Sequence, residues 1–357
     1  MKITREIFIL FLSMSFGITQ AQNSEFENFL LGGKDDANIL LGQYMAPVLK
    51  GMGYGFNSGW YNTAEPHKSL GFDLTISFNN AIVPQEDLSF IFNNSDYSNT
   101  RILSGSTTTL PTVGGTDSNE TLENFIDQQD IDPNLPPGEI ILGSYSAPDG
   151  IADDLQKYGI NKVAIPSPIV QIGVGLIKGT EVKIRWLPTI NQDNFKFKYF
   201  GIGGLHSLSQ WIPAIKNLGF MDISAFFGYT KISAEYAIPA GNTIATVDAR
   251  AAFDVTTLTY QLLVSAHVSV ITGYVGLGFD NFKTTFKMLG SYDLYPGLVP
   301  PLVDPISIEE KSADIDGTGG FRTTAGLRLK FAIFTLHGDY TIREYNTFTV
   351  GLGFAFR

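Results

Sequence analysis

The chain has 357 residues, 44% of them hydrophobic and only 17% charged, with 37 glycines and 13% aromatics. A charged share below the ~25% of soluble domains argues against an ordinary soluble enzyme, and the lack of a second apolar run of about 18 residues argues against helices in a membrane. Zero cysteines excludes disulfides and thiolate metal sites. A net charge of -11 excludes nucleic acid, whose phosphates need the opposite sign.

Residues 1–21 carry Lys2 and Arg5, an apolar run from Ile7 to Ile18 and Thr19-Gln20-Ala21, the pattern of an export signal cleaved before Gln22. From Ser24 to Lys50, Asp35 or Asp36 is placed to cap a short helix with Ile39, Leu40, Tyr44 and Val48 at helical spacing, ended by Pro47 and Gly51. This segment, 22–50, is expected at the periplasmic side or in the lumen as a plug. The plug candidates are Asp36, Ile39, Leu40 and Tyr44.

Gly51 to Asn62, with Tyr54, Phe56, Trp60 and Tyr61, reads as a first weak strand, and Glu65-Pro66-His67-Lys68 as a turn. Leu70, Phe72, Leu74, Ile76 and Phe78 then alternate with Gly71, Asp73, Thr75, Ser77 and Asn79, a strand with one greasy and one polar face. Leu88, Phe90 and Phe92 continue as another after a turn at Pro84.

From 94 to 162 the period disappears, and eleven acidic residues face three basic ones. Residues 291–318 are similar, with six acidic and one basic. Such long irregular stretches suit the extracellular loops of a barrel. Asp127, Asp130 and Asp132, or Asp149, Asp153 and Asp154, offer oxygens for calcium, but the spacing is not that of a calcium loop, so a solvated acidic surface is expected.

Between the loops, strands are expected over 169–178, 181–187, 195–205, 221–232, 255–266 and 270–289, with 206–218 as an interfacial linker around Trp211. The last 37 residues give three more. In Thr347 to Arg357, Phe348, Val350, Leu352, Phe354 and Phe356 alternate with small and polar residues. About twelve strands result, or fourteen if 98–104 and 243–252 add a pair. The short turns near Ile333, His267, Lys178 and Pro84 are expected on the periplasmic side. The expected fold is therefore all-β: a transmembrane antiparallel up-and-down β-barrel of 12–14 strands spanning 51–357, greasy outside and polar inside.

Gly53-Tyr54-Gly55-Phe56-Asn57-Ser58-Gly59-Trp60-Tyr61-Asn62-Thr63-Ala64, Ser209-Gln210-Trp211-Ile212-Pro213 and Ala225-Phe226-Phe227-Gly228-Tyr229-Thr230 resemble a family of Gram-negative outer-membrane proteins without assigned function. More distantly, the chain resembles the long-chain fatty-acid transporter family, which implies a barrel with an N-terminal hatch that passes hydrophobic molecules. That family's Asn-Pro-Ala signature is missing, so no ligand-binding residue carries over.

The polar faces place Arg322, Arg328, Lys330, Arg343, Lys183, Arg185, Lys196 and Lys198 toward the lumen beside Asp73, Glu181 and Asp339. Such a cluster attracts an anionic head group or, more simply, forms ion pairs that fill the barrel. Four histidines and no nucleophile motif give no catalytic site; no cofactor and no metal are expected. The expected partners are outer-membrane lipid and a hydrophobic small-molecule ligand. The expected function is passive transport of hydrophobic or amphipathic molecules, the alternative a non-catalytic scaffold for secretion or assembly of surface proteins.

Overall fold

The computed structural model describes residues 29–131, 133–192, 194–238, 245–293, 302–303, 306–311 and 320–356. The expected signal at 1–21 and Asp132 lie outside them. After helix α1 (Gly33–Phe56), ten strands form the wall: β1 (Phe72–Ile82), β7 (Ala164–Gly175), β8 (Thr180–Gln192), β9 (Phe195–Ser207), β10 (Met221–Ala237), β11 (Ala245–Val268), β12 (Ile271–Tyr292), β15 (Gly320–Phe331), β16 (Phe334–Ile342) and β17 (Thr347–Phe356). Each pairs antiparallel with its neighbours in the order β11-β10-β9-β8-β7-β1-β17-β16-β15-β12, and β11 pairs with β12 to close the ring. The seam joins first strand to last, Phe72 opposite Phe356.

Alternation puts Phe72, Leu74, Ile184, Phe200, Leu262, Leu277, Leu336, Leu352 and Phe354 on the outer face, where they are exposed, while Asp73, Arg185, Gln261, Asp280, Arg322 and Asp339 are buried within. An exposed apolar band around an entire ring is far larger than a soluble monomer carries. With every strand of the ring paired to a neighbour on both sides, it is the wall of a transmembrane barrel.

Ten strands close the ring rather than twelve to fourteen, because two expected wall strands lie elsewhere. Gly51–Phe56 is the last part of α1, which runs through both Pro47 and Gly51. Ser89–Asn93 (β2) pairs instead with Thr107–Pro111 (β4) in a separate small sheet. The region 94–162 is not irregular either: Thr100–Ile102 (β3), Thr121–Asp127 (β5) and Glu139–Ser146 (β6) form a second small sheet. Together these sheets build a folded cap. Leu302–Val303 (β13) and Ile306–Lys311 (β14) pair back on β12.

Apart from the β9–β10 connection, 208–220, the long connections lie with the cap at one end of the ring. The other carries the tight turns β7–β8, β11–β12 and β15–β16, as expected at Lys178, His267 and Ile333. Pro84 was expected among these turns but follows the opposite end of β1, since Phe72, not Ile82, sits beside Phe356.

Candidate functional site: an N-terminal plug clamped by wall arginines

The segment before β1 occupies the lumen. Helix α1 enters from the long-loop end, lying beside β1, β7, β11, β12 and β14, and residues 57–68 continue down to the turn that starts β1. The helix must be slim to fit. A Cβ on Gly51 would overlap Ile165, one on Gly53 the Phe282 ring, and one on Gly55 the Ser167 side chain, each on the wall. Glycines at these positions cost helix propensity, which the packing outweighs.

Four layers fill the barrel from the long-loop end downward. In the first, Leu40, Leu41, Tyr44 and Met45 of α1 pack on Phe197, Tyr199, Ile232, Val255, Phe253, Phe286 and Met288 of the wall, and on Phe92, Ile102, Leu110 and Leu122 of the cap. Of the expected plug residues, Leu40 and Tyr44 are buried here, with Tyr44 Oη donating to Asp149 O at 2.8 Å. Ile39 is 39% exposed and takes no part in this core. Asp36 does not cap the helix. It lies inside it, and its two carboxylate oxygens accept from Ser98 N at 2.8 Å and Asn99 N at 2.7 Å, tying plug to cap. Nearby, burial and then the Asp36 charge push the Tyr97 phenol above its ordinary pKa.

The second layer is the clamp. A helix C-terminus presents carbonyls without intrahelical partners and the negative end of the macrodipole, and α1 has no basic residue in its last turn. The wall supplies three. Arg343 Nη2 donates to Tyr54 O at 2.7 Å and to Ser58 Oγ at 2.6 Å. Arg185 donates to Phe56 O at 2.9 Å and Ser58 O at 2.7 Å, and lies 3.5 Å over the Trp60 ring. Arg322 Nη1 donates to Asn57 O at 3.1 Å. Asp280 pairs with both Arg322 and Arg343. Asn57 completes the join, donating from Nδ2 to Leu258 O at 3.1 Å and Asn281 O at 3.2 Å.

Below the clamp, Trp60, Tyr61 and Ala64 pack with Leu205, Phe226, Leu263 and Tyr274, and Tyr61 Oη bonds to Gln261. The lowest layer holds charge: Lys183 pairs with Glu181 and stands 3.9 Å from Asp73, and His67 Nε2 is 3.4 Å from Asp73.

Of the cations expected to line the lumen, Arg185, Arg322 and Arg343 meet at the clamp, Lys183 lies below with Asp73, and Arg328 is buried on the inner face of β15. Lys330 is only half-buried, at the turn end of β15. Lys196 and Lys198 were expected inside but are exposed on the outer face, because the phase of β9 turns Phe197 and Tyr199 toward α1. Their position near the long-loop end lets them reach the head-group region. Sequence reasoning missed Asp280 and the trio Glu65, Asp222 and His267, whose ligand atoms lie within 4.8 Å of one another. Asp280 was legible as a carboxylate on the polar face of β12; the trio comes from three distant segments and had no local signal.

Residues 1–356 match the family model described as "Family of unknown function (DUF6588)". The chain belongs to that family. No curated protein matches the sequence. Among solved structures, it is similar to Ail, the attachment invasion locus protein of Yersinia pestis, in complex with the heparin analogue sucrose octasulfate, at 8% identity, 80% of this chain and 99% of that one, and TM-score 0.27. It is also similar to the outer membrane protein Omp33 of Acinetobacter baumannii, at 8% identity, 81% of this chain and 100% of that one, and TM-score 0.21. A third is OpdK of Pseudomonas aeruginosa with vanillate, at 8% identity, 80% and 98% coverage, and TM-score 0.15. At such TM-scores the fold rests on the ring closure and the alternation described above.

Proposed function

We propose that this protein is a non-catalytic outer-membrane conduit for hydrophobic or amphipathic small molecules, closed in its resting state by its own N-terminal segment. The observation that carries the reading is the clamp. Three buried arginines are held by main-chain carbonyls of the plug, and two of them, Arg322 and Arg343, share one carboxylate, Asp280. A plug that shifts leaves these guanidiniums facing the lumen, ready to take a carboxylate head group bidentately. Directly above them the wall is aromatic and aliphatic, at Phe197, Tyr199, Phe253, Phe286 and Met288, and suits a hydrocarbon tail. Displacement breaks polar contacts and no covalent bond.

The second reading is a scaffold for secretion or assembly of surface proteins. It is favoured by the ring, in which each of the ten wall strands pairs with two neighbours, and by the folded cap over the mouth.

The two are separated by locking the plug. The absence of native cysteines makes the pair Thr63→Cys and Ser265→Cys clean, since their hydroxyls are 3.3 Å apart across plug and wall. Proteoliposomes bearing this variant should take up a labelled fatty acid when reduced, and lose the uptake reversibly on oxidation. Uptake that ignores the lock would place the route outside the lumen. Reduced vesicles no better than empty ones, across several chain lengths, would leave the scaffold reading ahead.

A further inference from the structure

At the turn end of the barrel, three segments meet. Glu65 is in the descending plug, Asp222 is the second residue of β10, and His267 is the penultimate residue of β11. One ligand atom of each lies within 4.8 Å of the other two, and all three side chains are half-buried.

Independent contacts fix their backbones. Asp222 pairs with Ser265 in the β10–β11 ladder, and His267 N donates to Phe220 O at 2.9 Å. Ser265 Oγ in turn accepts from Ala64 N at 3.0 Å, while Glu65 N donates to Thr63 Oγ1 at 3.1 Å. Each donor is thus presented from an anchored main chain and not from a loose loop.

We infer that Glu65, Asp222 and His267 form a binding site for a divalent transition metal of the Zn2+ type, which pins the lower end of the plug to the wall. One imidazole nitrogen and two carboxylate oxygens are a donor set such ions take, with a fourth position left for water. The imidazole separates it from an all-oxygen calcium site. Tetrahedral Zn2+ with bonds of about 2.0–2.2 Å holds its donors roughly 3.3 Å apart, so side-chain rotations of about an ångström close the site without moving a strand. Two carboxylates close together also carry the charge that a dication neutralises. Because one ligand belongs to the plug and two to the wall, the ion binds most tightly when the plug is seated, and binding must stabilise that state. The inference depends on the position of the plug and not on what passes the barrel.

The test uses full-length protein in detergent, stripped of metal and titrated with Co2+ by visible absorption, with Zn2+ as competitor. One site per chain is expected, weakened about a hundredfold by His267→Ala and at least about tenfold by Glu65→Gln, which leaves the wall untouched. Zn2+ should also slow hydrogen exchange over 57–68 about tenfold or more in the unsubstituted protein and not in Glu65→Gln. Heat-dependent gel migration checks that each variant keeps its barrel. Equal binding by unsubstituted protein and a variant with all three residues replaced would overturn the inference, since the ion would then sit on the acidic loops. Binding no tighter than millimolar would overturn it equally.

Discussion

Replacing Arg185 by leucine should release the plug without opening the ring. Arg185 makes two hydrogen bonds to plug carbonyls, Phe56 O and Ser58 O, and covers the Trp60 face. Bonds from a charged donor contribute about 1.5–3 kcal/mol each, and a desolvated cation–π contact about 2 kcal/mol, so the gross loss is about 6 kcal/mol. Against this, leucine no longer has to be stripped of water as a guanidinium is, a relief of roughly 3 kcal/mol. The net weakening of plug seating is about 3 kcal/mol, on the order of a hundredfold in the equilibrium between seated and released forms. Hydrogen-exchange mass spectrometry reads this directly, because exchange follows local opening when reclosing is fast. Peptides covering 50–68 should exchange about a hundredfold faster, while β15 and β16, on the far side of the ring from β8, keep their protection. Unchanged exchange over 50–68 would refute the clamp. Equal acceleration in every strand would show that Arg185 supports the wall and not the plug.

Three further substitutions test the other layers. Gly53→Val drives a side chain into the Phe282 ring and should destabilise the seated helix by about 1–3 kcal/mol, again seen as faster exchange over α1 with an intact ring. Asp36→Ala removes the acceptor of two cap N–H groups, Ser98 N and Asn99 N, at about 1.5–3 kcal/mol per bond; limited proteolysis of the cap within 94–162 should quicken while the barrel resists. Leu352→Arg places a charge on the outer face of β17, where the leucine is 63% exposed, and should cost about 2–4 kcal/mol for folding into lipid vesicles if that depth is near the bilayer middle. A neutral outcome there would mean that the outer face meets water.

The wall was legible because a period of two leaves little choice: Phe348, Val350, Leu352, Phe354 and Phe356 all point outward, and Arg322 and Asp73 inward, as their alternation requires. The plug was misread by the same rule. Gly53, Tyr54, Gly55 and Phe56 alternate small and aromatic like a barrel strand, but the cause is a helix tip enclosed on all sides, where small residues clear Ile165, Phe282 and Ser167 and Tyr54 lies against Phe282 and Tyr345. Pro47 and Gly51 mark a helix end in an isolated chain; here burial in the lumen carries the helix through both. That Arg185, Arg322 and Arg343 face the lumen was legible from their alternation, but their convergence on the end of α1 was not, because the partner there is main chain that carries no residue code.

The seam explains why plug and wall belong to one chain. Residues 57–68 lead straight into β1, and β1 completes the ring only by pairing with β17, from Phe72 opposite Phe356 to Ala81 opposite Thr347. A plug already beside β1 is enclosed when that pairing forms, whereas one added later would have to thread a lumen that leaves room for a slim helix alone. Enclosure also resolves an electrostatic difficulty. Arg185, with Phe56 O, Ser58 O and Gln171 Oε1 as its acceptors, would face a large desolvation cost in a barrel filled by a plug that offered it no acceptor. The carbonyls at the end of α1 offset that cost, and the arginine satisfies carbonyls that the helix cannot satisfy itself. Each side supplies what the other lacks. The released state must therefore bring something else to the guanidiniums, whether water or an anionic head group, and that requirement ties opening of the lumen to the chemistry of what enters it.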